Sequence, residues 1–376
     1  MLKILYVNGT ANIGGAEVSL INLVKRMNKD IYSTMAVLPD DGPLAKKMSD
    51  MGIKVVIERT MEYSRRRPVS FLKAVLRLTR LIRSEGIGLV HANSIYISEQ
   101  SLFASKLAGI PCICHVRDLA PILGAGRIRS IAFKKMARMI AISEAVKNDL
   151  IRKLNIPEEK IERIYNGVDT EEFNPGISGE NFRREYNLGS SKLVGMAGRF
   201  SPEKGQDIFL RAAGEIVKEY KDIYFVVVGN ADLGSETFRQ EMVRLSASLG
   251  LKDKVIFTGF RNDFPRVMAA LDIAVVPSAA EPFGRVIVEA MASGVPVVAM
   301  NSGAAPEIIS SQTGVLVEPG NIGELSKATI ELLNDVKKSG HMAEEARRAV
   351  LAKFDIRRHV SAVEKLYHEI LAREYG

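Results

Sequence analysis

Residues Glu281 to Pro296 read EPFGRVIVEAMASGVP, and the fold class can be inferred from this segment and its flanks. A short apolar run, Ile273 to Pro277, precedes it, and a second one, Val295 to Ala299, closes it. The residues after Gly284 are predicted to form a helix between these two runs. A strand, a helix and a second apolar strand predict parallel strands that helices cover on both faces.

The same alternation of short apolar runs and helix-length segments continues along the whole chain and predicts two doubly wound α/β domains. The join between them is predicted within Asn166 to Gly189, which contains Pro175 and several glycines. The predicted strands are Lys3 to Asn8, Thr34 to Leu38, Lys54 to Glu58, Gly88 to Ala92, Pro111 to His115, Met139 to Ile142, Ile161 to Tyr165, Leu193 to Gly198, Ile223 to Gly229, Lys254 to Gly259, Ile273 to Pro277, Val295 to Ala299 and Thr313 to Val317.

The composition is that of a folded globular protein. The chain has 376 residues, of which 47% are hydrophobic and 26% charged. No apolar run approaches the ~20 residues of a membrane-spanning helix. Met1 to Val7 is predicted as a buried strand and not as a signal sequence, so we expect a cytoplasmic location. Cys112 and Cys114 are expected to be small buried residues, because metal sites normally need four ligands.

The positive charge is concentrated in the first half of the chain. The net charge is +8, but residues 1 to 170 contain 27 lysines and arginines against 16 acidic residues, and the remainder contains 25 against 28. Arg65 to Arg83 and Arg127 to Arg138 interleave basic and apolar residues at helical spacing. This asymmetry predicts an anionic partner: a membrane surface, a phosphorylated substrate or nucleic acid. The scarcity of aromatic residues in both segments argues against nucleic acid.

Two loops that follow predicted strands are candidates for binding phosphate. Gly14 and Gly15 open a helix, where free N–H groups and the helix dipole favour an anion. The chain has neither Gly-x-Gly-x-x-Gly at this place nor Gly-x4-Gly-Lys-Ser/Thr anywhere, which disfavours dinucleotide and triphosphatase sites. Arg199 and Lys204 follow the strand Leu193 to Gly198, and two cations at that edge of the sheet could neutralise a diphosphate.

Two glutamates in the stretch from Glu281 to Pro296 are candidates for binding hydroxyl groups. Glu281 lies in the loop after a strand, and Phe283 and Gly284 begin the next helix with free N–H groups. Glu289 lies among apolar residues, where a carboxylate needs donors from a ligand or a neighbouring side chain. Two such carboxylates suit a nucleotide sugar.

Taken together, these motifs resemble the retaining glycosyltransferases of family 4, which have the GT-B fold. The resemblance rests on Glu281 and Glu289 in the spacing Glu-x7-Glu, on Gly198-Arg199 with Glu203-Lys204-Gly205, on Asn166-Gly167-Val168-Asp169 and on the early Gly-Gly-Ala-Glu. It covers nearly the whole chain and implies two Rossmann-like doubly wound parallel-sheet domains that face a central cleft. Residues 1–168 would form the acceptor-binding domain, with a C-terminal helix in 356–376 crossing back to it, and residues 169–355 the nucleotide-sugar-binding domain.

The resemblance also implies roles for individual residues. Glu281, Phe283 and Gly284 would face the transferred sugar, Glu289 the ribose and Arg199 with Lys204 the diphosphate, while His115 falls where the family often has an active-site histidine. The expected catalytic residues are Glu281, His115, Arg199 and Lys204; the donor-binding residues are Gly15, Arg199, Lys204, Phe283, Gly284, Arg285, Val286 and Glu289; and the acceptor-binding residues are Gly14, Gly15, Asn93, His115 and Arg117.

The expected activity is the retaining transfer of a hexose-type sugar from a UDP-sugar or GDP-mannose to a hydroxyl of a glycan or lipid-linked acceptor, in the synthesis of cell-envelope polysaccharide, lipopolysaccharide or glycolipid. The sequence has no Asp-x-Asp, so we expect neither a metal nor another cofactor. The enzyme would be peripheral on the inner face of an anionic cytoplasmic membrane. The alternatives are a non-hydrolysing nucleotide-sugar epimerase of the same fold and a nucleic-acid-binding module that uses the basic half.

Overall fold

The chain folds into two compact α/β units, seen here in a computed structural model that describes residues 1–59, 68–119, 127–231 and 236–375. Unit 1 comprises Met1–Gly167 together with Ile356–Gly376, and unit 2 comprises Val168–Asp355. The first unit is therefore made of two separate segments of the chain, between which the second unit is inserted.

Unit 1 is built on a seven-stranded parallel sheet. Its strands are β1 (Leu2–Val7), β2 (Tyr32–Leu38), β3 (Lys54–Ile57), β4 (Leu89–Ala92), β5 (Cys112–Val116), β6 (Arg138–Ala141) and β7 (Ile161–Arg163), and its helices are α1 (Gly15–Arg26), α2 (Pro43–Asp50), α3 (Pro68–Glu85), α4 (Ser98–Ala108), α5 (Arg127–Lys134), α6 (Glu144–Leu154) and α15 (Ile356–Tyr375). The strand order is β3-β2-β1-β4-β5-β6-β7. The order reverses between β1 and β4, which is the point where open α/β sheets form a crevice for ligands.

Helix α15 covers this sheet although it is remote in sequence. It packs beside α1 and buries one apolar stripe against the core that β1 and β2 supply. The residues of that stripe recur at helical spacing, which is why this segment folds as an amphipathic helix. They are Ile356, Val360, Val363, Tyr367 and Ile370.

Unit 2 repeats the architecture with six parallel strands. Its strands are β8 (Lys192–Ala197), β9 (Ile223–Val228), β10 (Val255–Gly259), β11 (Ile273–Val276), β12 (Val297–Met300) and β13 (Val315–Val317), and its helices are α7 (Glu180–Glu185), α8 (Gln206–Glu219), α9 (Glu236–Ser248), α10 (Phe264–Ala270), α11 (Arg285–Ala292), α12 (Ala305–Ile308), α13 (Ile322–Asn334) and α14 (Val336–Lys353). The order is β10-β9-β8-β11-β12-β13, so the switch point lies between β8 and β11.

The predicted fold is confirmed, since each predicted strand is present with ends shifted by at most two residues. The boundary between the units lies between Gly167 and Val168, within the stretch Asn166 to Gly189, and Phe173 and Phe182 of that stretch are buried. The helical part of Arg127 to Arg138 ends at Lys134. Arg65, Arg66 and Arg67 lie outside the described residues, whereas Cys112 and Cys114 are buried and reduced, as expected.

Candidate active site

Three loops meet at the switch point of unit 2, because the carboxyl ends of parallel strands lie at one edge of a sheet. They are residues 198–205 after β8, 277–284 after β11 and 301–304 after β12. The amide of Ala279 donates to the carbonyl of Glu203 (3.0 Å), and the amide of Ala304 donates to the carbonyl of Glu281 (2.8 Å). The loops are therefore tied to one another by their backbones, with Glu281 in the central one.

The two carboxylate oxygens of Glu281 bind different partners, a cation and a backbone amide. Lys204 Nζ lies 2.8 Å from Oε2, and the amide of Gly284 donates to Oε1 over 3.1 Å. Both side chains are mostly buried, with 12% of Glu281 and 26% of Lys204 exposed. The structure thus brings together three of the predicted residues, Glu281, Lys204 and Gly284, in one charged cluster.

Two glycines allow the backbone to pass this close to Glu281. Gly284 has a φ of +93° and Gly303 a φ of +55°, both in the left-handed region that favours glycine. A Cβ on Gly303 would lie 2.2 Å from the carbonyl oxygen of Glu281. A side chain at position 303 would therefore displace the loop that carries Glu281.

Glu289 lies on α11, one helical turn after Arg285. It is 4% exposed, and Arg285 Nη2 lies 2.5 Å from its Oε1. Burial raises the pKa of Glu289, and the nearby Arg285 partly offsets this effect. The sequence required a donor for this buried carboxylate, and Arg285 is that donor. Val286 is half-buried at the start of the same helix, and Phe283 packs against Phe354, with 5.9 Å between ring centres.

The loop after β8 places Arg199 at the surface and Lys204 toward Glu281. Arg199 is 57% exposed and lies 3.6 Å from Glu203. The sequence interpretation missed Gln206, which is fully buried and donates from Nε2 to the carbonyl of Arg199 (2.9 Å). Its Oε1 has no protein partner among the described residues. The signal that could have found it is its position directly after Gly205, at the start of a helix beside the switch point.

In unit 1, the loop after β1 opens α1 with two exposed glycines. Gly14 and Gly15 have no side chain to cover the helix N-terminus, and the amide of Gly14 donates to Glu17 Oε2 over 3.0 Å. The other oxygen of Glu17 accepts a bond from Asn8 Nδ2 (3.2 Å). Glu17 therefore occupies part of the positive end of α1. Gly15 belongs to unit 1, whereas the other predicted donor-binding residues belong to unit 2.

Arg117 is held by a set of buried amides at the switch point of unit 1. Its guanidinium donates to Asn93 Oδ1 (2.9 Å) and to Asn166 Oδ1 (2.9 Å). Asn93 in turn donates to Asn8 Oδ1 over 2.8 Å. Two of the predicted acceptor-binding residues, Asn93 and Arg117, are thus brought together. Asn8 and Asn166 were not predicted as site residues, although polar residues at strand ends beside a switch point are the signal for them.

His115 is buried behind Arg117 and has no exposed surface. Its Nδ1 lies 3.2 Å from Arg117 Nη2 and must accept this bond, because a guanidinium only donates. Burial lowers its pKa well below the usual value, and the charge of Arg117 lowers it further. His115 also stacks between His91 and His359, with ring centres 5.4 and 6.0 Å apart. The structure does not place it on a surface open to a ligand, so its direct catalytic role stays a prediction.

Neither a metal cluster nor a membrane span is found in the part of the chain that the structure describes. No group of three or more histidine, cysteine, aspartate or glutamate side chains in that part is arranged to hold a metal ion. No helix there is long and apolar enough to cross a bilayer.

The fold and the site define a GT-B type glycosyltransferase, and two family models match the chain accordingly. The model described as Glycosyltransferase Family 4 matches residues 13–172, and the one described as Glycosyl transferases group 1 matches residues 178–349. The chain belongs to the family 4 glycosyltransferases.

Individual relatives agree with this assignment. The chain is 24% identical to the UDP-Gal:alpha-D-GlcNAc-diphosphoundecaprenol alpha-1,3-galactosyltransferase of Escherichia coli, over 99% of this chain and 98% of that protein. It is 27% identical to a D-inositol 3-phosphate glycosyltransferase of Salinispora arenicola, over 99% and 90%. The chain is 27% identical in sequence to the Anabaena protein HepE. It superimposes on the crystal structure of HepE in complex with UDP-glucose with a TM-score of 0.86, over 98% of this chain and 100% of that one. HepE has also been solved with UDP alone.

Proposed function

We propose that this glycosyltransferase moves a hexose-type sugar, with retention of configuration and without a metal ion, from a UDP-sugar or GDP-mannose to a hydroxyl of a glycan or lipid-linked acceptor. The observation that carries the proposal is the cluster in which the carboxylate of Glu281 binds both Lys204 and the amide of Gly284. Relatives named for transfer from UDP-galactose and for complexes with UDP-glucose support the same donor chemistry.

The donor would bind at the switch point of unit 2. Lys204, Arg199 and the N-terminal end of α11 supply positive charge where the diphosphate carries its negative charge. Such preorganised groups stabilise the charge that develops on a leaving group, at roughly 2.7–4 kcal/mol for one contact. Glu281 keeps Lys204 in position, and its carboxylate can accept hydroxyl hydrogens of the sugar. Glu289, with Arg285, is the proposed contact for the ribose.

Transfer then exchanges one bond at the anomeric carbon. The bond from that carbon to the donor phosphate oxygen breaks, and the departing nucleoside diphosphate keeps the electron pair. The acceptor oxygen forms its bond on the same face of the sugar, and its proton passes to a phosphate oxygen of the donor. Because the phosphate takes the proton, this path needs no protein base in contact with the acceptor.

The acceptor would bind to unit 1, beside Gly14, Gly15, Asn93 and Arg117. Arg117 is a fixed cation at the carboxyl edge of the sheet, and Asn93 holds it there. Such a group can bind a phosphate or sugar hydroxyl of the acceptor. A diphosphate-linked lipid acceptor, as in the name of the Escherichia coli relative, fits this chemistry. It would also place the enzyme in cell-envelope synthesis on the cytoplasmic side of a membrane.

The test is transfer in vitro with a panel of UDP-sugars and GDP-mannose, each with a polyprenyl-diphosphate-linked sugar as acceptor. We expect one donor to give a product one hexose heavier by mass spectrometry, with the α-configuration of the donor retained in the proton NMR spectrum. The rate should be unchanged by EDTA.

Each part of the proposal has an outcome that contradicts it. An inverted linkage overturns retention, and activity that EDTA abolishes and a divalent ion restores overturns metal independence. Acceptor-free reactions that release an altered sugar nucleotide would identify an epimerase instead of a transferase.

A further inference from the structure

We infer that the outer face of α3, α4 and α5 in unit 1 is a docking surface for an anionic lipid bilayer. This deepens the proposed function, on which it rests for its purpose, by naming the surface that brings the enzyme to a lipid-linked acceptor. The exposed apolar residues that define this α3–α5 face are Val69, Leu72, Leu76, Phe103, Leu107 and Ile131.

The apolar side chains form stripes and are not scattered. On α3, Val69, Leu72 and Leu76 follow one another at helical spacing and are 65%, 57% and 43% exposed. Phe103 and Leu107, one turn apart on α4, are 43% and 52% exposed. Single exposed apolar residues are ordinary on a protein surface, but neighbouring ones on packed helices mark an interaction site.

The three helices present these residues as one continuous surface. Phe71 of α3 meets Phe103 of α4 edge to face, with 6.0 Å between ring centres. Between α4 and α5 lies an apolar cavity of about 140 Å³, open to the surface. It is lined by Leu102, Phe103, Lys106, Ile131, Ala132 and Lys135. Phe103 therefore joins the stripe of α3 to this cavity, which has two lysines in its lining.

The charge around the apolar residues is positive. On the exposed side of α3, Lys73, Arg77, Arg80 and Arg83 run beside the apolar stripe. Exposed lysines continue the pattern at Lys106 on α4, at Lys134 on α5 and at Lys135, which directly follows α5.

Within the described parts of α3, α4 and α5 the acidic residues do not offset this charge. They are Glu85, which is bound to Lys54, and Glu99, which is buried. Outside these helices, Glu58 pairs with Arg77 over 3.0 Å. The exposed cations still outnumber these acidic residues, so the charge of this face is complementary to an anionic partner.

An anionic bilayer fits this combination of apolar and basic side chains. Interfacial helices insert large apolar residues at the boundary of headgroups and acyl chains, while lysine and arginine extend their charges to anionic headgroups. Because no described helix can span a bilayer, contact of this kind would be peripheral and reversible. It would weaken as the salt concentration rises.

The experiment is co-sedimentation of the full chain with vesicles of phosphatidylcholine, alone or mixed with an equal part of phosphatidylglycerol. We expect at least tenfold tighter binding to the anionic vesicles at low salt, and loss of that preference at high salt. The variant Leu72→Ser/Phe103→Ser/Ile131→Ser and the variant Lys106→Glu/Lys135→Glu should each lower the affinity at least tenfold.

Matched controls lie on α14 of unit 2. Val336→Ser/Leu351→Ser changes exposed apolar residues, and Lys337→Glu/Lys338→Glu reverses two exposed charges. Both should bind like the parent chain, and circular dichroism with thermal unfolding reports whether each variant is folded. Binding lost equally in the control variants, or no preference of the parent chain for anionic vesicles, would overturn the inference.

Three further outcomes distinguish this inference from a dimer interface and from the proposed function. A dimer in solution that dissociates when the α3–α5 face is changed, with no vesicle binding, assigns the surface to a second copy of the chain and overturns the proposal. Sugar transfer to a water-soluble acceptor by an enzyme that ignores vesicles overturns the docking surface alone. Vesicle binding without any sugar transfer overturns the proposed function alone.

Discussion

Glu281 is the residue on which the candidate donor site depends, because its two oxygens have different partners. One oxygen is bound to the cation of Lys204, and the other accepts a hydrogen bond from the amide of Gly284, directly before α11. A change at Lys204 alters the charge at this place, and a change at Gly284 alters the position of the loop. Lys204 and Glu281 are therefore best tested with substitutions that preserve shape.

Lys204→Met and Glu281→Gln each keep the length of the side chain and remove its charge. We expect kcat/KM for sugar transfer to fall by about two orders of magnitude in each, since one electrostatic contact in the transition state has roughly that effect. Steady-state kinetics measures the loss, and thermal unfolding checks the fold. The control pair is Lys218→Met and Glu215→Gln, an exposed ion pair. Near-parental activity in both site variants would contradict the role of the cluster.

His115 is the residue for which sequence and structure suggest different roles. We expect it to position Arg117 and not to contact the sugar, because it is buried and accepts a bond from that guanidinium. In His115→Ala the KM for the acceptor should rise about tenfold, as lost contacts of this kind cost roughly 1.4 kcal/mol, while kcat and its pH profile change little. His115→Asn, which can still accept from Arg117, should recover part of the affinity.

A direct catalytic histidine would behave differently from a positioning one. It would lower kcat at unchanged KM, and neither variant would recover it. His341→Ala, at an exposed position on α14, is the control.

The three loops of unit 2 act together because their backbones are hydrogen-bonded to one another. The loop after β12 approaches so closely that only glycine fits at Gly303, where a Cβ would meet the carbonyl oxygen of Glu281. The geometry of the site therefore depends on a residue that carries no functional group.

Gly303→Ala and Gly320→Ala form a matched pair that tests this dependence. Both glycines are exposed and have positive φ, at +55° and +78°, but a Cβ on Gly320 meets nothing within 4 Å. Gly320→Ala should cost about 1–2 kcal/mol of unfolding free energy for the left-handed backbone alone, and it should keep its activity. Gly303→Ala should cost more and also lower kcat, measured by urea unfolding and kinetics. Equal behaviour of the two variants would contradict the close approach.

The sequence predicted strands and motifs well because both depend on local pattern. Apolar runs of the right length marked the strands, and glycines with charged residues after β8 and β11 marked the sheet edge of the candidate site. What it could not predict depends on packing. The burial of Gln206 and Asn8 cannot be read from their residue types, and His115 is buried beside His359 of helix α15, which is far away along the chain.

The two units of the molecule differ in their buried histidines. His91, His115 and His359 are all buried in unit 1, and burial lowers the pKa of each, to about 4 for His359. The single histidine of unit 2, His341, is exposed. The two units should therefore respond differently to acid.

The free energy of unfolding of unit 1 should have its full value above about pH 6.5 and should decrease as the pH falls from 6.5 toward 4. In this range the histidines of the unfolded chain bind protons and the buried histidines of the folded chain do not. Each buried histidine therefore lowers the free energy of unfolding by up to about 1.4 kcal/mol per pH unit. Calorimetry near pH 7.5 and near pH 5, with hydrogen exchange to assign the transitions, should show unit 1 losing more stability than unit 2. His359→Gln should reduce the difference and His341→Gln should not. Equal losses in both units would contradict the prediction.

The insertion of unit 2 between the two segments of unit 1 has a consequence for synthesis on the ribosome. Helix α15, which covers the first sheet through Val363, Tyr367 and Ile370, emerges only after Asp355 has been made. Domains usually fold in the order of their synthesis, but here the later one is complete first. Until then the nascent chain exposes the apolar surface that α15 will cover, and transiently exposed apolar surface makes a chain prone to aggregate. Synthesis of unit 1 thus begins first, but unit 2 is the first that can finish folding.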